Sequence, residues 1–122
     1  MNHQRISLPD HLHPVETYFN WISSDDLLRA LENFSSGRGF NIEDNTCSFP
    51  SDIAEDEGIS EDTVDYIEFW SYSGNEEVRV GFDSFEDIIM QVSHIEIEKT
   101  PENAKLIGDL VKKITSHLKR NA

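Results

Sequence analysis

A single cysteine, Cys47, is all the thiol that this 122-residue chain carries. That excludes an intramolecular disulfide and suits a reducing cytoplasm. Long apolar runs are missing too: no stretch approaches the ~20 apolar residues of a membrane span. The first 15 residues hold His3, Arg5, Asp10, His11 and His13 where a signal peptide needs a continuous apolar core, so no targeting segment is expected. Cations are scarce: 10 Lys and Arg stand against 24 Asp and Glu, for a formal net charge of -14. Binding to nucleic acid needs Lys and Arg to displace counterions, so neither duplex nor single strand is an expected partner. Gly37-Arg38-Gly39 follows a helical stretch and lacks the spacing of a phosphate loop.

What the chain does have is enough apolar matter to fold. Leu, Ile, Val and Phe make up 33 of the 122 residues, above the roughly 20% below which a highly charged chain fails to collapse. One domain over residues 1–122 is expected, with a modest core and too little volume for a large cofactor cleft. The charge is unevenly placed. Residues 1–40 sum to -2, residues 41–98 to -16 with Arg79 as their one base, and residues 99–122 to +4. Solubility alone is met by mixed signs and a net charge of about 2 to 8, whereas a self-repelling block of -16 costs stability and points to a cationic partner.

Hydrophobic spacing gives the elements. Residues 1–13 have no sustained period and read as a tail or an extended lead-in. Pro14 suits a first helical residue, with Val15, Tyr18, Phe19 and Ile22 on one face. Ser23-x-x-Asp26 reads as a capping box for a second helix carrying Leu27, Leu28, Leu31 and Phe34, stopped by Ser35-Ser36-Gly37. Phe40 and Ile42, then Cys47 and Phe49, alternate as one strand, bulged near Asn45. Residues 51–63, with six acids, read as an acidic loop. Val64–Tyr72 and Val78–Phe82 around Ser73-Gly74-Asn75-Glu76 form a β-hairpin. Its first arm sets Ile67 and Phe69 on one face and Tyr66, Glu68, Trp70 and Tyr72 on the other, and either face could be core. Asp83 or Ser84 can cap a helix with the stripe Phe85, Ile88, Ile89, Val92, Ile95. Thr100-Pro101-Glu102 starts a last helix with Leu106, Ile107, Leu110, Val111, Ile114 and Leu118, and Lys112, Lys113, Lys119 and Arg120 gather at its end. The expected fold is α+β: a small, mostly antiparallel sheet, one strand plus a hairpin, packed against N-terminal and C-terminal helices.

Catalytic chemistry finds little footing. Cys47 is flanked by acids rather than by the cations that activate a thiol, and reads as a small buried hydrophobe. His11-Leu12-His13 has no nearby Cys or His to complete a metal set, and His94 and His117 stand alone. The acids of 52–58 lack the Asp-x-Asp-x-Asp-Gly ladder of a calcium loop. No cofactor, no metal and no enzyme activity is expected. What remains is acid interleaved with aromatics, and the expected partner-binding residues are Asp52, Glu55, Asp56, Glu57, Glu61, Asp62, Tyr66, Glu68, Trp70, Tyr72, Glu76 and Glu77. Tyr and Trp are enriched among interface anchors, and surrounding acids steer a cationic partner. The competing reading makes Tyr66, Trp70 and Tyr72 core and the acids a solvated face.

Pro14-Val15-x-x-Tyr18-Phe19-Asn20, Gly37-x-Gly39-Phe40, Cys47-Ser48-Phe49-Pro50-x-Asp52, the acids that follow, Val64-x-x-x-x-Phe69 and Glu77-Val78-x-Val80-x-Phe82 together carry a resemblance. The chain resembles, over about residues 14–118, the immunity proteins of contact-dependent growth inhibition systems, in the group paired with ribonuclease toxins. The resemblance implies a bacterial cytoplasmic protein, without catalytic residues, that binds and blocks the nuclease domain of a toxin delivered by neighbouring cells. It assigns no individual contact residue. The alternative is an acidic interaction module or nucleic-acid mimic acting on a basic nucleic-acid-binding protein.

Overall fold

The computed structural model describes residues 3–121, and the side chains of residues 120 and 121 lie outside that description, Arg120 among them. Five helices and three strands follow in the order α1 (His13–Trp21), α2 (Ser24–Ser35), β1 (Asn45–Ser48), α3 (Pro50–Glu57), β2 (Tyr66–Ser71), β3 (Glu76–Gly81), α4 (Phe82–Lys99) and α5 (Ala104–Asn121). The sheet is antiparallel with strand order β1-β2-β3, so the domain is α+β, as the hydrophobic spacing indicates. No helix among the described residues is long and apolar enough to cross a membrane.

The core forms because each helix and the sheet turn one apolar side inward. Val15, Tyr18 and Phe19 from α1 and Ile22 just after it, Leu27, Leu31 and Phe34 from α2, and Ile107, Leu110, Ile114 and Leu118 from α5 are all buried. From the sheet come Cys47, Ile67, Phe69 and Val80, which settles the hairpin's inner face. Aromatic rings run through this core in edge-to-face and stacked contacts. Tyr18 meets Phe69 at 5.4 Å, Phe69 meets Phe85 at 6.1 Å, and Phe49 lies between Phe85 at 5.4 Å and Phe34 at 5.1 Å. Such pairs add about 0.5–1.5 kcal/mol beyond their buried area. Burial raises the Cys47 thiol well above its ordinary value, with the Asp52 charge adding to it, so the thiol stays protonated.

Five expectations need correction. Residues 51–63 are not an open loop: Pro50 occupies the first turn of α3, Asp52 Oδ2 accepts the Phe49 N–H at 2.9 Å, and Gly58 ends the helix in the left-handed conformation (φ 67°). Ile53 and Ala54 give the helix a buried side. The strand read through Phe40–Phe49 folds back on itself instead. Ile42 and Asn45 exchange backbone hydrogen bonds of 2.8 and 2.7 Å, and the Phe40 N–H donates to the Cys47 carbonyl at 3.1 Å. Helix α4 starts at Phe82, directly from Gly81, so Asp83 sits in its first turn at the positive end of the dipole rather than outside it. On its inner stripe Glu96 is fully buried while Ile95 is only half-buried, because Arg5 reaches in to neutralise it. Leu106 likewise leaves the α5 stripe and is 44% exposed.

Residues 3–9 form an extended lead-in packed on the domain, joined to α1 by a 3-10 turn (Asp10–Leu12), and residues 1 and 2 of the expected lead-in lie outside the described residues. The Asn20 side chain accepts the Arg5 and Ile6 N–H groups at 2.7 and 2.9 Å and donates to the Ile6 carbonyl at 2.8 Å. The Arg5 guanidinium donates to Glu96 at 2.9 Å and to the carbonyls of Phe19 and Ile22 at 2.8 and 2.6 Å, which are the free acceptors at the end of α1.

Candidate functional site

The outer face of the sheet follows from the strand register. Residues opposite each other share a face, so the pairs Thr46–Trp70–Glu77 and Ser48–Glu68–Arg79, with Tyr66 opposite Gly81, all point away from the core. Helices α1 and α4 pack on the other side. The outer face is half-buried at Tyr66, Glu68 and Trp70, and exposed at Glu77 and Arg79.

Helix α3 adds its acids to this face. It leaves β1 after one residue, and its inner side is held by Ile53 and Ala54. Asp52, Glu55, Asp56 and Glu57 thus line one open groove of about 630 Å³ together with Glu68 and Ser48 of the sheet and with Arg38. Arg38 donates to Glu55 at 3.2 Å and to Asp52 at 3.5 Å. Asp56 and Glu57 make no ion pair among the described residues, so the groove keeps a net negative charge.

The acids differ in what they are free to do. Asp52 is occupied locally, accepting the Gly39 N–H at 2.7 Å as well as that of Phe49. Glu55, Asp56 and Glu57 are exposed. Burial pushes the Glu68 carboxyl above its ordinary value and repulsion from Glu77 and Glu57 adds to this, while Arg79 at 3.6 Å offsets part of the rise. Glu68 therefore stands to gain from an incoming cation. Arg79 is itself engaged, its guanidinium 4.4 Å from the centre of the Tyr66 ring.

The remaining sequence-selected residues surround this centre unevenly. Glu61 and Asp62 lie in a 3-10 turn (Glu61–Thr63) packed against α3. Trp70 meets Tyr72 edge-on at 5.8 Å; Tyr72 lies past the end of β2 and is 62% exposed. The indole Nε1 of Trp70 is buried without a hydrogen-bond partner among the described residues. Glu77 shares the outer face, whereas Glu76, opposite Ser71, lies on the other side of the exposed hairpin tip.

Sequence reasoning passed over three residues that the fold makes prominent. Arg38 is the cation of the groove, and Ser48 lines its floor. Trp21 is 53% exposed at the end of α1, and the signal for it is there to find: an aromatic about one quadrant off the apolar stripe of an amphipathic helix. Among the described residues no group of three or more His, Cys, Asp or Glu is placed to hold a metal ion.

The sequence model of the family described as CDI immunity protein matches residues 11–111, from just before α1 into α5, and so takes in both the acidic groove and the sheet. Curated proteins and solved structures yield no match.

Proposed function

The chain belongs to the CDI immunity protein family, whose members protect against a toxin of contact-dependent growth inhibition, and from that premise we propose that it neutralises a nuclease toxin, a ribonuclease in particular, by seating its α3 and outer-sheet face on a cationic toxin surface in the cytoplasm. The observation that carries the proposal is the convergence of α3 and β2: Glu55, Asp56 and Glu57 from one and Glu68 from the other line a single groove in which Arg38 is the only base among the described residues. A nuclease that grips a polyanionic substrate presents positive charge, and carboxylates set along a groove occupy the place of phosphates. Inhibition of this kind is binding without chemistry. Attraction across the long-range field can raise association towards about 10⁸–10⁹ M⁻¹s⁻¹ at low salt, and desolvated aromatic anchors then slow dissociation.

The test uses the toxin domain encoded by the reading frame next to this gene. Purified with the protein, that domain should lose its ability to degrade RNA, and the triple variant Glu55→Lys, Asp56→Lys, Glu57→Lys should restore degradation while keeping its circular dichroism spectrum. A toxin domain with no RNase activity would overturn the ribonuclease assignment. Full inhibition by the triple variant would remove the acidic groove from the interface.

A further inference from the structure

A second cleft lies at the end of α1. It encloses about 470 Å³ between Trp21, Ile22, Ser23 and Asp26 on one side and Phe40, Ile42, Glu43 and Asn45 on the other. Trp21 forms one wall and is 53% exposed, although its neighbours Tyr18 and Phe19 in α1 and Ile22 just beyond it are buried. The opposite wall is the tight turn in which Ile42 and Asn45 exchange backbone hydrogen bonds. The turn is anchored beneath by the Tyr18 hydroxyl, which donates to the Phe40 carbonyl. Two carboxylates, Asp26 and Glu43, line the cleft, and among the described residues only Asp26 is in an ion pair, 3.6 Å from the exposed Arg29. Asn45 lines the cleft as well, and its Oδ1 is buried with no hydrogen-bond donor among the described residues.

An exposed indole between flanking carboxylates fits one kind of occupant. A Lys or Arg side chain brings an aliphatic stem for the apolar walls and a cation for the indole and the carboxylates. We infer that the cleft around Trp21 is a second docking point for the cognate toxin, receiving a basic side chain of that partner. The inference rests on the toxin's being the partner of this chain. The cleft adjoins the proposed face through the chain itself: Asn45 begins β1, whose next residue, Thr46, lies opposite Trp70, and the Tyr72 N–H donates to the carbonyl of Asp44 at 2.8 Å. Asn45 itself lies opposite Ser71, on the side of the sheet that carries α1, so a toxin seated on the groove and the outer sheet reaches this cleft by wrapping past the start of β1, with Trp21 as the anchor there.

The chain has two tryptophans, so Trp70→Phe leaves Trp21 as the sole indole reporter. In the free protein its emission should be red-shifted and readily quenched by acrylamide. Bound to the toxin domain of the adjacent reading frame, it should shift to the blue and become several-fold less quenchable. Trp21→Ala in the native background should leave the melting temperature within a few degrees and speed dissociation about 30-fold or more, the fold-change that corresponds to ~2 kcal/mol. Trp21→Phe, which keeps a π face, should recover more of the lost residence than Trp21→Leu does. Unchanged quenching in a complex that forms, or unchanged dissociation of Trp21→Ala, overturns the inference, and Leu matching Phe overturns the cation as occupant. Should charge reversal of α3 weaken binding while Trp21→Ala does not, the groove reading stands and this one falls; the reverse pattern leaves the cleft as the site and removes the groove.

Discussion

Arg5 Nε lies 2.9 Å from Glu96 Oε1 with both side chains almost wholly out of water, 0% and 1% exposed. This pair joins two positions 91 residues apart and ties the N-terminal lead-in to the middle of the helical layer. Burial pushes the Glu96 carboxyl up, but hydrogen bonds from Ser24 and Arg5 and the charges of Arg5 and Lys99 outweigh it, and the carboxyl settles below its ordinary value.

Removing one member leaves the other buried and uncompensated, so Glu96→Ala should lower stability by about 3–5 kcal/mol in urea unfolding. The double change Arg5→Met with Glu96→Leu should cost far less than Glu96→Ala. The pH dependence has a defined sign. A depressed carboxyl stabilises the fold above its unfolded-state value and loses that contribution as pH falls through the folded value. Glu96→Gln should therefore flatten the stability profile in the window that opens near pH 4.5, the ordinary glutamate value, and extends downward. A profile identical to that of the parent would show that the pair is not ionised.

Association with the toxin domain should be fast and sensitive to salt. Between 50 and 500 mM salt the Debye length shrinks from about 14 Å to about 4 Å, and the association rate should fall about tenfold or more in stopped-flow measurement. The α3 charge-reversal variant should associate slowly at low salt and show a shallow salt dependence. A rate indifferent to salt would remove steering by the acidic block.

Trp70→Ala separates packing from contact. Its ring is half-buried on the outer sheet face, away from the aromatic core. The substitution should speed toxin dissociation by the equivalent of ~2 kcal/mol and shift the melting temperature only slightly. Severe thermal destabilisation with normal binding would assign Trp70 to the fold instead.

Leu110 lies in the α5 stripe at 6% exposure. Leu110→Ala should cost ~2–5 kcal/mol in denaturant titration, and it should leave the toxin dissociation rate of the folded fraction unchanged. Leu106→Ala, at an exposed position of the same helix, should cost far less.

The helices α1, α2, α4 and α5 and the hairpin are legible in the sequence because their apolar residues repeat at 3.6 or 2 over enough turns to outweigh local noise. α3 is not, because SDIAEDEG offers only Ile53 and Ala54 to the core and its acids suggest solvent. Its ends were nonetheless written: Pro50 at the first turn, Asp52 reaching back to Phe49, Gly58 at the stop. Burial of Arg5 and Glu96 has no local signature, since each would be a solvated charge without the other and only the tertiary fold brings them together. The acids of the groove were each visible as residues. Their convergence was hidden, because a loop assigns them no common direction and a helix does. Trp21 carries no signal in the charge pattern, which singles out residues 41–98, whereas the second cleft joins residues on either side of position 41.

Helix α3 also divides its own sequence into two kinds of position. Its first turn is fixed from below: Asp52 binds the backbone of Gly39 and Phe49, Ser51 donates to the Gly37 carbonyl at 2.6 Å, and a Cβ on Gly39 would come within 1.8 Å of the Cys47 carbonyl oxygen. Its last turn, Glu55 to Glu57, is exposed, and its side chains make only the surface ion pair of Glu55 with Arg38 among the described residues. The helix is thus a cassette with a keyed base and a blank face. Swapping residues 55–57 while keeping Gly39, Pro50 and Asp52 re-letters the face without recutting the key, so that, if the proposed face seats the toxin, this part of its specificity is free to change on an unaltered scaffold.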